Sequence, residues 1–242
     1  MNELTGIILA TLAGGVLSVA AAALLSLTLL GRVASRMTSF SVGVLLAAAL
    51  INLLPEALET LKPDVVGGTL LAGLLTFFVL EKLALWRHDH SQEASTSSPA
   101  GLMIVLGDGV HNFADGVLIA AAFLQSPALG VTTAIAVIAH EVPQEVGDFM
   151  ILLDSGYSKR RALLLNTLSS LAAVAGGVLG WLALSHASGV VPYVLCVAAA
   201  SFLYVAVADL MPALQRFRRP PDFAVQLALA GTGIGIVLFG KH

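Results

Sequence analysis

Cysteine is nearly absent from this chain: its 242 residues include one, Cys196, so no intrachain disulfide and no thiolate cluster for a soft metal can form. Charge is scarce as well, at 11% Asp, Glu, Lys and Arg against 57% hydrophobic residues, with a mean hydropathy of +0.92. So little charge cannot cover the surface of a soluble domain, and the composition points to an integral membrane protein. A net charge of −3 also offers no basic surface for nucleic acid. Polar linkers are missing except at "RHDHSQEASTSSP", residues 87–99, which reads as a flexible cytoplasmic loop. Residues 1–242 are therefore expected to form a single transmembrane domain. The amino-terminal stretch lacks the basic region of a signal peptide and reads as a retained first span.

What the chain has instead is long apolar runs. A helix needs about 20 residues to cross the ~30 Å of hydrocarbon, and eight runs near that length are found. They cover roughly 4–30, 38–58, 65–86, 101–124, 127–153, 161–185, 189–212 and 222–240, with ends uncertain by about 2–4 residues. The expected fold class is an all-α integral membrane protein with eight transmembrane helices. All of the 12 Lys and Arg except Lys62 and Lys241 fall in loops after odd-numbered spans. The positive-inside rule then puts both termini on the non-cytoplasmic side, in a cell inner or plasma membrane.

Two prolines hint at an internal repeat. "NLLPEAL" (52–58) closes the second span and "DLMPAL" (209–214) closes the seventh, with Asn52 and Asp209 each three residues before proline. Because these spans run in opposite directions, a repeat of spans 1–3 in spans 6–8 is inverted, a common transporter plan. Spans 4 and 5 form the unpaired centre, joined only by "QSP" at 125–127 and so antiparallel.

The polar residues concentrate in that centre. Asp108, His111, Asn112 and Asp115 fall at i, i+3, i+4 and i+7, an arc of about 100° on the fourth span. His140, Glu141, Gln144, Glu145 and Asp148 occupy about 140° of the fifth. A charge near the bilayer centre costs about 2.5–3.5 kcal/mol on insertion scales, so several together need a joint explanation. A divalent cation supplies one, because imidazole nitrogen and amide and carboxylate oxygens are first-row metal ligands. Interhelical hydrogen bonds are the alternative reading. Pro143 lacks an amide hydrogen and opposes the carbonyl of Ala139, kinking the helix beside His140, as Pro55 does at Ile51. "HEVPQ" also approaches the H-E-x-x-H zinc-protease pattern, but its second His is Gln144, so a membrane protease is a minor alternative and no enzyme is expected.

These motifs resemble the ZIP family of divalent metal transporters, in particular the branch with HNFxDG in the fourth span and HExPHExGD in the fifth. "GDGVHNFADGVLIAAAF" (107–123), "HEVPQEVGDFMILLDSG" (140–156), "FFVLEKL" (77–83) and "SFLYVAVADLMP" (201–212) carry the likeness, in the family's order. The resemblance implies a 3+2+3 arrangement and a metal site between spans 4 and 5. His111, Asp115, His140 and Gln144 would form one subsite, and Asn112, Asp115, Glu141 and Gln144 a second. Position 144 is His in the branch and Gln here; Asn52 stands where relatives often have His, and Ala213 where Glu often follows the proline. Asp108, Glu145, Asp148, Asn52 and Asp209 are expected to line the pathway or support the ligands. His88 and His90 are expected as loop metal contacts.

The function expected from both lines is transport of divalent transition metals into the cytoplasm by alternating access. Zn2+ is the first candidate as substrate, with Fe2+, Mn2+, Co2+ and Cd2+ admitted by the same ligands and no catalytic cofactor. A metal exporter would use the same residues. Expected partners are the metal ions, the lipid bilayer and a second copy in a homodimer. In the family, the bundle carrying the site is thought to slide against the remainder, and Gly14, Gly15, Gly176 and Gly177 are candidates for close helix contact.

Overall fold

The computed structural model describes residues 2–21, 24, 30–91, 99–215 and 220–240. Among these every regular element is helical. Seven helices are long and apolar enough to cross a membrane: Glu3–Ala21, Arg36–Leu58, Pro63–Leu83, Met103–Gln125, Lys159–Leu184, Ser188–Leu214 and Asp222–Phe239. The expected fifth span is present as a helix of 28 residues, Pro127–Asp154, but it does not join that set. His140, Glu141, Gln144 and Glu145 lower its apolarity, so the count on length and composition is seven, where eight were expected.

Some expectations fall partly outside the described residues. They include 22, 23 and 25–29 of the first span, loop residues 92–98, and the basic residues Arg216, Arg218, Arg219 and Lys241. The third helix runs Pro63–Ser91, so residues 87–91 of the expected loop are helical in backbone. The side chains of Arg87, His88 and His90 are among those not described.

Local sequence explains the boundaries around the polar centre. Pro127 opens the fifth-span helix, where its missing N–H costs nothing, and the Ser126 hydroxyl accepts from Leu129 N–H at 3.2 Å. That helix ends in a Schellman turn. Gly156 takes φ 86°, Tyr157 N–H donates to Leu152 O at 3.1 Å, and Gly156 N–H to Leu153 O at 3.0 Å. Ser158 then caps the helix Lys159–Ser170.

Three π-helical segments interrupt the rods: Ala13–Leu17, Ala48–Leu53 and Val205–Leu210. The latter two immediately precede the turns containing Pro55 and Pro212. A proline withholds one N–H and crowds the preceding turn, and a wider turn accommodates both effects. Asn52 and Asp209 thus occupy matching positions in matching distortions, in keeping with the sequence pairing of the two spans.

The fourth span packs most closely on the sixth. A Cβ at Gly116 would collide with the carbonyl of Ala173, and one at Gly176 with that of Phe113, so only hydrogen fits where these backbones meet. Spans 1, 4, 5 and 6 make one packed group; span 2 with span 8, and span 3 with span 7, make another. The groups meet where the second span lies against the fifth and the seventh against the fourth. The third and eighth spans present Leu71, Leu75, Phe78, Phe223 and Phe239 outward. Those faces are the natural contact with lipid.

Candidate metal centre

The two polar stripes face each other at the centre of the bundle. His111 Nε2 and His140 Nε2 are 3.3 Å apart, and their rings meet edge to face. Asp115 Oδ2 lies 3.1 Å from His140 Nε2 and 3.7 Å from His111 Nε2. Glu141 Oε1 lies 3.4 Å from His111 Nε2 and 3.7 Å from His140 Nε2. One donor atom from each of these four residues falls within 4.8 Å of every other. Two nitrogens and two carboxylate oxygens at this spacing form a donor set suited to a first-row divalent ion.

The environment favours an arriving cation. Asp115, His140 and Glu141 are buried, while the His111 side chain retains 26% exposure and is the open edge. His140 Nδ1 sits 2.9 Å from Ala136 O; a carbonyl can only accept, so Nδ1 carries a proton and Nε2 is the nitrogen turned to Asp115 and the cluster. Phe202 of the seventh span stands behind that ring with centroids 6.0 Å apart.

A second grouping shares Glu141. Asp108, Glu141 and Glu145 are buried, with one oxygen from each within 4.8 Å of the others. Neither carboxylate oxygen of Glu145 makes a hydrogen bond, while Glu141 Oε1 faces the His111 and His140 rings. No Lys or Arg occurs between residues 99 and 154, so neither helix carries a fixed positive charge. Buried carboxylates brought this close together cost several kcal/mol, and a bound cation would offset that cost.

The residues singled out in the sequence separate into three groups. His111, Asp115, His140 and Glu141 come together. Asn112 and Gln144, expected as ligands, turn their amide nitrogens to Asp108 Oδ1, at 3.0 and 3.3 Å. Glu141, expected in the second subsite, stands beside the two histidines. Asp108 and Glu145, expected along the pathway, sit with Glu141; Asp148 lies partly buried and Asp209 is exposed. Asn52 is buried at a distance from this centre, its Oδ1 without a hydrogen bond.

Sequence reasoning missed three supports. Ser41 of the second span donates to the carbonyl of Ala139, the acceptor that Pro143 leaves without its helical partner. The proline predicted an orphaned carbonyl, but nothing along the chain marked Ser41 as its donor. Asn166 Nδ2 donates to the Glu145 carbonyl at 3.2 Å, tying the sixth span to the fifth. Tyr204 donates to Glu81, joining the seventh and third spans.

Fold and site together define an integral membrane protein whose two central helices present a histidine and carboxylate donor set. A family model described as ZIP Zinc transporter matches residues 85–240, more than half of the chain. The chain belongs to the ZIP zinc transporter family. Similar curated proteins include the zinc transporter ZIP4 of Homo sapiens, 48% identical over 118 residues, which is 49% of this chain and 18% of that protein. The zinc transporter ZIP10 of Danio rerio is 44% identical over 110 residues, covering 46% of this chain and 13% of its own length. The zinc transporter foi of Drosophila melanogaster is 38% identical over 144 residues, covering 59% and 20%. The matched stretch thus spans a fifth or less of each of these relatives.

Proposed function

We propose that this chain carries divalent transition-metal ions, Zn2+ first among them, across the membrane into the cytoplasm by alternating access at the centre between the fourth and fifth spans. The observation that carries this reading is the convergence of His111, His140, Asp115 and Glu141 within 4.8 Å on two helices without a fixed positive charge. The names of the related transporters support the choice of zinc. The inward direction rests on the family likeness, since the basic-loop asymmetry supports only an orientation with both termini outside.

In this reading the ion is the substrate. His140 arrives oriented, its Nδ1 proton held by Ala136 O, so that Nε2 is the nitrogen presented to the ion. Asp115 and Glu141 neutralise the ion, and two imidazoles with two carboxylates and no thiolate bind strongly enough to strip waters yet permit release. Glu141 also belongs to the Asp108 and Glu145 group, so an ion leaving the histidines has oxygen donors adjacent to it. The group formed by spans 1, 4, 5 and 6 carries both clusters and moves against spans 2, 3, 7 and 8.

The test is uptake of radioactive zinc in proteoliposomes of fixed orientation. His111→Ala and Asp115→Ala abolish uptake while the protein remains folded and inserted. Wild-type uptake with unchanged flux in both variants would sink the site assignment, and net efflux under an inward zinc gradient would reverse the direction.

A further inference from the structure

A cavity of about 140 Å³ lies between the second and fifth spans, lined by Asn52, Glu56, Ser126, Ala128, Leu129 and Thr132. It is separate from the metal centre. Thr132 and His140 are eight residues apart on one continuous helix, so the cavity stands ~12 Å along the axis from the histidines at ~1.5 Å per residue. Thr132, Ala136 and His140 follow one another at four-residue steps and share a helix face.

The polar groups of this cavity accept hydrogen bonds. Asn52 is 5% exposed and its Oδ1 makes no hydrogen bond. Glu56 Oε1 is held by Gln125 Nε2 at 2.9 Å, which fixes the carboxylate and leaves its other oxygen uncommitted in that pair. The Thr132 hydroxyl directs its one proton to the carbonyls of Ala128 and Leu129, at 3.1 and 3.0 Å, so its lone pairs remain for a ligand. An orphaned buried amide oxygen costs free energy unless something with positive charge or a proton meets it. The cavity has room for a cation that keeps several of its waters.

We propose that Asn52, Glu56 and Thr132 form an outer cation site, in which a partly hydrated divalent metal is held before it passes to the histidines. Only the direction of passage rests on the transport reading; binding in the cavity does not. The oxygen donors and single carboxylate make the site weak and hard, suited to collecting ions without trapping them. One span contributes Asn52 and Glu56 and another Thr132, so the site crosses the boundary between the two packed groups and changes shape when they move.

Two measurements on the full chain test this. In zinc flux from proteoliposomes, Glu56→Gln raises KM by about fivefold or more and leaves kcat within about twofold, since a site used before the chemistry of transfer affects capture. Glu56→Asp, which keeps the charge, recovers most of that loss. The second measurement is Mn2+ binding by electron paramagnetic resonance in protein carrying His111→Ala and Asp115→Ala. Bound Mn2+ decreases when Glu56→Gln is added to that background. An unchanged KM, a fall in kcat alone, or equal Mn2+ binding with and without Glu56 each overturns the proposal. Absence of flux in the wild type would instead count against transport and leave the Mn2+ comparison decisive for the cavity.

Discussion

Ser41 donates its hydroxyl to the carbonyl of Ala139, one residue before His140 and four before Pro143. The proline removes the N–H that would have satisfied this carbonyl, and a neighbouring helix replaces it. The bond lies where the two packed groups meet, so it ties the position of the metal-bearing helix to the second span. Ser41→Ala leaves a buried acceptor unsatisfied, at a cost of about 1–3 kcal/mol. A lowered midpoint in thermal denaturation of the detergent-solubilised protein is expected, and no change in midpoint would deny the bond any weight.

Gln144 stands where the branch pattern has histidine, and its amide nitrogen donates to Asp108 Oδ1. Gln144→His adds an imidazole one turn from His140 and frees Asp108 Oδ1 from one donor. An added ligand worth about 1.4 kcal/mol tightens a site roughly tenfold. Zinc KM should fall and kcat with it, because release becomes harder; a raised kcat in the same flux assay would contradict this.

Glu141 is shared by both clusters, and its Oε1 faces the His111 and His140 rings. Glu141→Gln therefore acts in opposite directions with and without metal. Without metal the variant is more stable than wild type, since the repulsion of this carboxylate with those of Asp108 and Glu145 is relieved. With metal the order reverses: a ligand at 100 times its Kd contributes about 2.7 kcal/mol to wild type, and the variant forfeits much of that. Melting curves with chelator and with zinc read both signs, and a loss of stability in chelator would refute the first.

Gly176 meets the Phe113 carbonyl with no room for a methyl group. Gly176→Ala pushes the sixth span from the fourth, two residues after His111, and such overpacking costs about 1–3 kcal/mol. Reduced stability together with weaker zinc binding is expected. Gly67→Ala is the control, because a Cβ there meets nothing within 4 Å.

Sequence alone determined the helical rods, the two polar stripes and the family resemblance. Each depends on local spacing: apolar runs of membrane length, polar residues three and four apart, and an order of motifs along the chain. Gly156 and Ser158 could also be read as the stop and start of neighbouring helices. Tertiary structure decided which donors meet. Asn112 and Gln144 lie on the expected faces with their amide nitrogens on Asp108 Oδ1, and Glu141 stands beside the histidines. A stripe specifies a helix face to within about 100°, while a coordination shell requires atoms within a few ångströms. That difference is set by the rotation and approach of two helices, and so by contacts far apart in sequence. Ser41 on Ala139, Gly176 on Phe113 and Asn166 on the Glu145 carbonyl are such contacts, and they fix how the stripes face each other.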